Sequence, residues 1–391
     1  MSVLIKNANV YAPENLGLQD ILIIGSKIVQ MSSKIDSQPI VEYLPDIEVL
    51  DAREKIIVPG FIDQHVHIIG GGGEMGFATR TPEVMLSKVI EAGVTTVVGL
   101  LGTDGDARSV EALLAKAKGL EEEGITTFIH TGSYKIPSVT ITGSVIKDIM
   151  FIDKVIGVKM ALSDHRSSHI TVDELTRLAS DARLAGMLSR KPGLVHIHMG
   201  AGRDGLNQVM KVVEETDIPV TQFIPTHATR TRELFEQAKK FAKLGGRIDI
   251  TSFAEENPKE KIQPSKALIE CIKEGIPPEN VTISSDGNGS MPKYDSEGRI
   301  VGIGVGSLNT SQCVFNNLVK KEGLDISTAL QFFTANVARV LSVYPRKGCI
   351  QKGSDADLVI MDRNLSLETV FAMGKKMLDQ GKVIYKGTFE E

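Results

Sequence analysis

Cysteine is scarce in this chain. Cys271, Cys313 and Cys349 are the only three in 391 residues, and their spacing fits neither a zinc cluster nor a disulfide framework. An odd number of scattered thiols suits a reducing cytoplasm. An excess of positive charge is also missing. Lys and Arg number 44 against 49 Asp and Glu, which argues against a nucleic-acid or membrane-surface role. No apolar run is long enough to span a bilayer. The opening residues, Met1 to Lys6, lack the charged start, apolar stretch and small-residue cleavage site of a secretion signal. Histidine is rare too, with eight in all, so their placement carries information.

Two of the eight stand at the end of an apolar run, in Pro59-Gly60-Phe61-Ile62-Asp63-Gln64-His65-Val66-His67. The run from Ile56 to Ile62 reads as a buried strand. Side chains alternate along a strand, so His65 and His67 point the same way and can share one metal ion. After His67, apolar runs alternate with amphipathic stretches. The runs are 94–101, 125–131, 155–162, 194–199, 220–226, 247–253 and 281–285, eight with the first. Between them, helices are expected at 82–92 (Gly93 just past its end), at 172–188 behind Thr171 as N-cap, and at 265–273. Eight strand–helix units predict a closed (β/α)8 TIM barrel, an α/β fold, over residues 56–346. An open doubly wound sheet is the alternative, but chemistry-bearing residues stand at many strand ends rather than at one switch point. The two ends of the chain read differently, as short alternating strands joined by turns. Neither end buries a core alone, so residues 1–55 and 347–391 are expected to share one small β-sandwich-like domain, re-entered through Pro345 to Asp357.

Five strand ends carry ligand-type side chains: His65 and His67, Lys159, His196 and His198, His227, and Asp286. A buried His is usually just hydrogen-bonded and an Asp before Gly is usually a turn. Five convergent strand ends are much harder to explain that way. Lys159 lies inside an apolar strand, where an unpaired ammonium is costly. Near divalent cations its pKa falls, and a neutral amine adds carbon dioxide to form a carbamate able to bridge two metals. The pattern therefore predicts a binuclear centre. His65, His67 and Asp286 hold one ion, and His198 and His227 hold the other. N6-carboxylated Lys159 and a hydroxide bridge them. Histidine, carbamate and carboxylate ligands favour two Zn2+ and accept Co2+ or Mn2+. Arg166 and Arg230 follow metal-bearing strands and suit two carboxylates, while Glu74 after the Gly70–Gly73 run suits an ammonium. One ammonium and two carboxylates near a scissile amide describe a β-aspartyl dipeptide.

These residues resemble the amidohydrolase superfamily, and within it the isoaspartyl (β-aspartyl) dipeptidases. The likeness rests on the 59–67 motif, the later Lys, His and Asp in order, and the local matches at 70–74, 99–103, 163–167, 225–230 and 284–290. It implies that His198, not His196, is the ligand, and that Glu74 and Thr103 hold the substrate α-amino group. Arg166, Arg230 and Ser290 would take its two carboxylates. Tyr134 would donate to the oxyanion, and Asp286 would move the proton from the attacking hydroxide to the leaving nitrogen. It also implies a cytoplasmic homo-oligomer, often an octamer in the family, that clears dipeptides and touches neither nucleic acid nor membrane. Dihydroorotases and hydantoinases share the ligand set, but dihydroorotases carry Arg where this chain has Ile69, and a ring substrate has no ammonium for Glu74. Superfamily deaminases generally lack the bridging lysine. A non-catalytic assembly protein of this fold would have lost ligands that are all present here, and a broad N-acyl amino acid amidase is a further alternative on the same fold.

Overall fold

The computed structural model describes residues 2–253, 262–294 and 300–391. Eight apolar runs are strands of one parallel barrel. The first six, β1 (Phe61–Val66), β2 (Val94–Gly99), β3 (Thr126–Gly132), β4 (Val155–Leu162), β5 (Leu194–Met199) and β6 (Phe223–Thr226), pair in that order. β7 (Ile248–Thr251) and β8 (Val281–Ser284) form a second parallel pair. Two seams close the ring. Ala228 N donates to Asp249 O at 3.2 Å, and Val66 bridges Gly287, where His67 N donates to Gly287 O at 2.9 Å.

The helices between strands follow from local sequence. Thr171 and Glu174 form a reciprocal capping box that starts the helix Val172–Ser189. The stretch expected to be helical from Pro82 is helical only over Leu86–Glu91. Its start stays extended because the carbonyls there are already taken: that of the preceding Thr81 by Arg108 at 2.8 Å and that of Pro82 by Asn288 at 2.7 Å. Inside the barrel Ile62, Val98, Ile156, Leu194 and Ile224, from five strands, pack with Val337, Val340 and Leu341. The helix Ala335–Val340 thus plugs the lower end, and the polar strand ends above it face the upper mouth, where loops build active sites in this architecture.

The termini build one nine-stranded sheet. Its main path runs Lys382–Val383, Lys375–Asp379, Leu367–Ala372, Leu358–Met361, Ile56–Pro59, Ser2–Tyr11, Asn15–Ile24, Lys27–Ser32, with Glu48–Asp51 also paired to Ser2–Tyr11. The 56–62 run, read from sequence as one strand, is therefore two. Ile56–Pro59 joins the terminal sheet and Phe61–Val66 the barrel. Gly60 is the crossing point, where a Cβ would lie 2.3 Å from Thr95 Oγ1.

The re-entry loop is held by a buried charge cluster. Lys347 Nζ lies 2.9 Å from Asp355 and 2.5 Å from Asp357, and Lys27 meets Asp355 at 2.6 Å. Removing Lys347 takes the lysine from buried Asp357 and leaves Asp355 with Lys27 alone. Lys347→Ala is expected to cost about 3–5 kcal/mol, read as a lower denaturant midpoint; an unchanged midpoint contradicts it. Burial opposes the Asp355 charge, but both lysines hold its carboxyl below the ordinary 3.8. Its contribution is complete above that value and is lost as pH falls through its lower folded value.

Candidate active site

The strand ends converge at the upper mouth. His65 Nε2 and His67 Nε2 lie 3.4 and 3.2 Å from Asp286 Oδ1, and the three groups are close enough to share one cation. The His67 ring sits in a slot that glycine alone leaves open: a Cβ on Gly102 or Gly289 would come within 3.0 or 2.9 Å of it. Lys159 is wholly buried on β4, its Nζ 3.4 Å from His65 Nε2. His198 and His227 pack edge to face with ring centroids 4.5 Å apart, and His227 lies 5.1 Å from His65. Thr251 Oγ1 meets His227 Nδ1 at 2.6 Å, and His227 Nε2 is buried with no hydrogen-bond partner among the described residues. An orphaned imidazole lone pair beside these other nitrogen and oxygen donors is what a resident cation would satisfy, so the donor set fits a metal centre. His227 and Asp286 both hold left-handed backbone, φ 61° and 52°, of the kind often found at functional sites.

A second cluster gathers beside the first. Glu74 accepts from Thr103 Oγ1 at 3.0 Å, from Arg166 Nη1 at 3.1 Å and from Ser290 Oγ at 3.3 Å. Ser290 is set there by the strand Ser290–Tyr294, which pairs with Ile300–Val305. Tyr134 Oη lies 2.5 Å from His198 Nδ1, and the Arg166 guanidinium covers the Tyr134 ring at 5.5 Å. Arg230 is exposed, next after Thr229 on the loop beyond His227.

Residues 56–388 match the amidohydrolase family model. The chain belongs to the amidohydrolase family. Among solved structures it is similar to a β-aspartyl dipeptidase from Fervidobacterium islandicum AW-1 in complex with β-Asp-Leu dipeptide. That likeness has 44% identity and a TM-score of 0.89, and covers 98% of each chain. A dihydroorotase of Aquifex aeolicus is 25% identical over 98% of this chain and 97% of its own. The dihydropyrimidinase of Brevibacillus agri NCHU1002 has the same fold at 17% identity, with a TM-score of 0.69 and coverage of 99% and 97%.

Burial sets the electrostatics of this amidohydrolase's site. It drives His65, His196 and His227 well below the ordinary imidazole value, and pushes His198 and His130 down to about 3. Each of these rings is neutral near pH 7 and has a lone pair to offer. Burial likewise brings Lys159 down to about 7, against the pull of Asp286 and Asp249. It raises the Tyr134 phenol, which therefore keeps its proton.

His196, set aside as a ligand in favour of His198, lies with its Nε2 2.9 Å from His65 Nδ1. Asp249 was not singled out from sequence. Asp249 on β7 is fully buried and accepts from Gln64, Thr226, Thr282 and Ser284 beneath the mouth. A charge inside the apolar run 247–253 is the same signal that marked Lys159.

Proposed function

We infer that this chain hydrolyses the β-aspartyl bond of dipeptides, releasing aspartate and a second amino acid. The observation that carries the reading is the convergence of Thr103, Arg166 and Ser290 on Glu74 beside the histidine cluster. It joins ammonium-binding and carboxylate-binding groups next to a metal-type donor set. The relative that holds β-Asp-Leu supports it at 44% identity. A ring substrate of the dihydroorotase or hydantoinase kind would leave Glu74 without a cation to meet.

The residues proposed to hold one Zn2+ are His65, His67 and Asp286, and those for the second are His198 and His227, with carboxylated Lys159 between them. When bound, such ions lower the pKa of a water and polarise a carbonyl. The chain's own groups do the rest. Glu74 and Thr103 take the substrate α-amino group. Arg166, Arg230 and Ser290 take its carboxylates, so substrate entry parts the Glu74–Arg166 ion pair and gives each member a partner of opposite charge. Tyr134, still protonated, donates to the oxygen that gains charge. Asp286 accepts the proton of the attacking water and passes it to the leaving nitrogen. We place the enzyme in the cytoplasm as a homo-oligomer. Three unpaired cysteines suit that compartment, and no helix among the described residues is long and apolar enough to cross a membrane.

Turnover of β-aspartyl-leucine, α-aspartyl-leucine and dihydroorotate, with zinc and bicarbonate supplied and bound metal counted, tests the reading. Fast cleavage of the β-linked dipeptide alone is expected; activity on dihydroorotate instead overturns the substrate assignment. Glu74→Gln is expected to lower kcat/KM at least about tenfold on β-aspartyl-leucine, the scale of a lost charged hydrogen bond. It should affect an N-acetylated analogue far less. Equal losses on both would remove Glu74 from ammonium binding.

A further inference from the structure

Asp164 touches both halves of the site. It follows β4 by two residues, is 4% exposed, and is turned back over the mouth by Ser163, whose φ is 53°. β5 leaves room for it, since a Cβ on Gly200 would lie 2.5 Å from Asp164 Cα and Cβ. Asp164 Oδ1 accepts from Arg166 Nε and from Arg166 backbone N, both at 2.9 Å, and Oδ2 accepts from Arg166 Nη2 at 2.7 Å. The same Oδ2 lies 3.0 Å from His198 Nε2. Building on the assignments under the proposed function, we propose that Asp164 is a positioning residue. With one carboxylate it sets which nitrogen of His198 faces the metal and where the Arg166 guanidinium points, coupling metal binding to carboxylate recognition.

The contacts of the His198 ring support this. Its Nε2 has two neighbours, Asp164 Oδ2 at 3.0 Å and Arg166 Nη2 at 3.4 Å. The arginine can only donate, and the shorter contact to a carboxylate is the stronger one. The proton therefore sits on Nε2 and the lone pair on Nδ1, the side that faces Tyr134. A ligating histidine whose other nitrogen donates to a carboxylate is fixed in tautomer and orientation. The fork on Arg166 uses Nε and Nη2 and leaves Nη1 for Glu74 in the free protein, and for substrate once that ion pair opens.

The test is zinc affinity, by competition with a chromophoric chelator, together with kcat and KM on β-aspartyl-leucine at saturating zinc. Asp164→Asn is expected to weaken one zinc by about 10–100-fold. It should also raise KM roughly tenfold or more, an increase that saturating zinc does not reverse. Arg166→Lys should raise KM and leave zinc affinity alone. Asp164→Asn protein with normal zinc affinity, or with a KM restored by zinc, overturns the coupling. 15N-histidine NMR of the metal-free wild-type protein gives an answer even if Asp164→Asn fails to fold. An Nε2–H tautomer at His198 supports the proposal, and an Nδ1–H tautomer overturns it. Wild-type protein that cleaves no β-linked dipeptide would instead sink the functional reading, while the tautomer still decides the hold of Asp164 on His198.

Discussion

Asp286→Asn is expected to lower turnover of β-aspartyl-leucine by roughly a hundredfold to ten-thousandfold, the scale of a lost general acid–base, with the fold retained. Shape is kept, because asparagine is isosteric and is one of the few residues that accept left-handed backbone readily. Asp286 has φ 52°, so alanine would add backbone strain that the amide does not. What disappears is basicity. Burial works against the Asp286 charge, but the His67 hydrogen bond and the charges around it hold the carboxyl below its ordinary value. It is therefore ionised at neutral pH and able to take a proton from the attacking water. An amide oxygen in the same place still faces His65 and His67 but cannot carry that proton to the leaving nitrogen. Thermal melting and a metal count on the variant separate this from unfolding. Near-normal turnover would remove Asp286 from proton transfer.

Much of this site was legible before any coordinates. Period-two alternation put His65 and His67 on one face, and the structure brings both to Asp286 Oδ1 from opposite ends of the sequence. Lys159 stood out because a cation inside Val155–Leu162 violates the apolar pattern. What stayed hidden depends on contacts made only when the ring closes. Asp249 breaks the pattern of its strand as Lys159 does, yet its partners come from three strands: Gln64 from β1, Thr226 from β6, and Thr282 and Ser284 from β8. Asp164 stands inside the 163–167 match but carried no role from sequence, and its grip on His198 requires the positive φ at Ser163, which composition does not signal. The extended start of the 82–92 stretch was illegible for a similar reason. Asn288 and Arg108, distant in sequence, claim the carbonyls there. The break at Gly60 was hidden because Ile56 to Ile62 is uniformly apolar, and a run that changes sheets looks the same as one that continues.

Lys159→Ala is expected to abolish detectable turnover and to lower bound metal together with it. The argument starts from burial. Lys159 has no exposed surface and its Nζ meets His65 Nε2 at 3.4 Å. Desolvation brings the amine down to about 7 even though Asp286 and Asp249 favour its charge. At pH 7–8 a large share is then the free base, whereas an exposed lysine near 10.4 would be almost wholly protonated. The free amine attacks carbon dioxide, forming the N–C bond of a carbamate and losing one proton. A buried neutral amine thereby becomes an anion with two oxygens, at the point where His65, His67 and Asp286 meet His198 and His227. Alanine removes those oxygens and leaves a cavity about the size of a short carboxylic acid, so formate, acetate or propionate in the buffer should restore part of both metal content and activity. Wild-type protein reloaded with zinc in carbon-dioxide-free buffer should recover activity only when bicarbonate is added, and Lys159→Ala should ignore bicarbonate. Full metal content in Lys159→Ala, or reloading of the wild type that is indifferent to bicarbonate, would rule out the carbamate and leave Lys159 as a neutral amine beside His65.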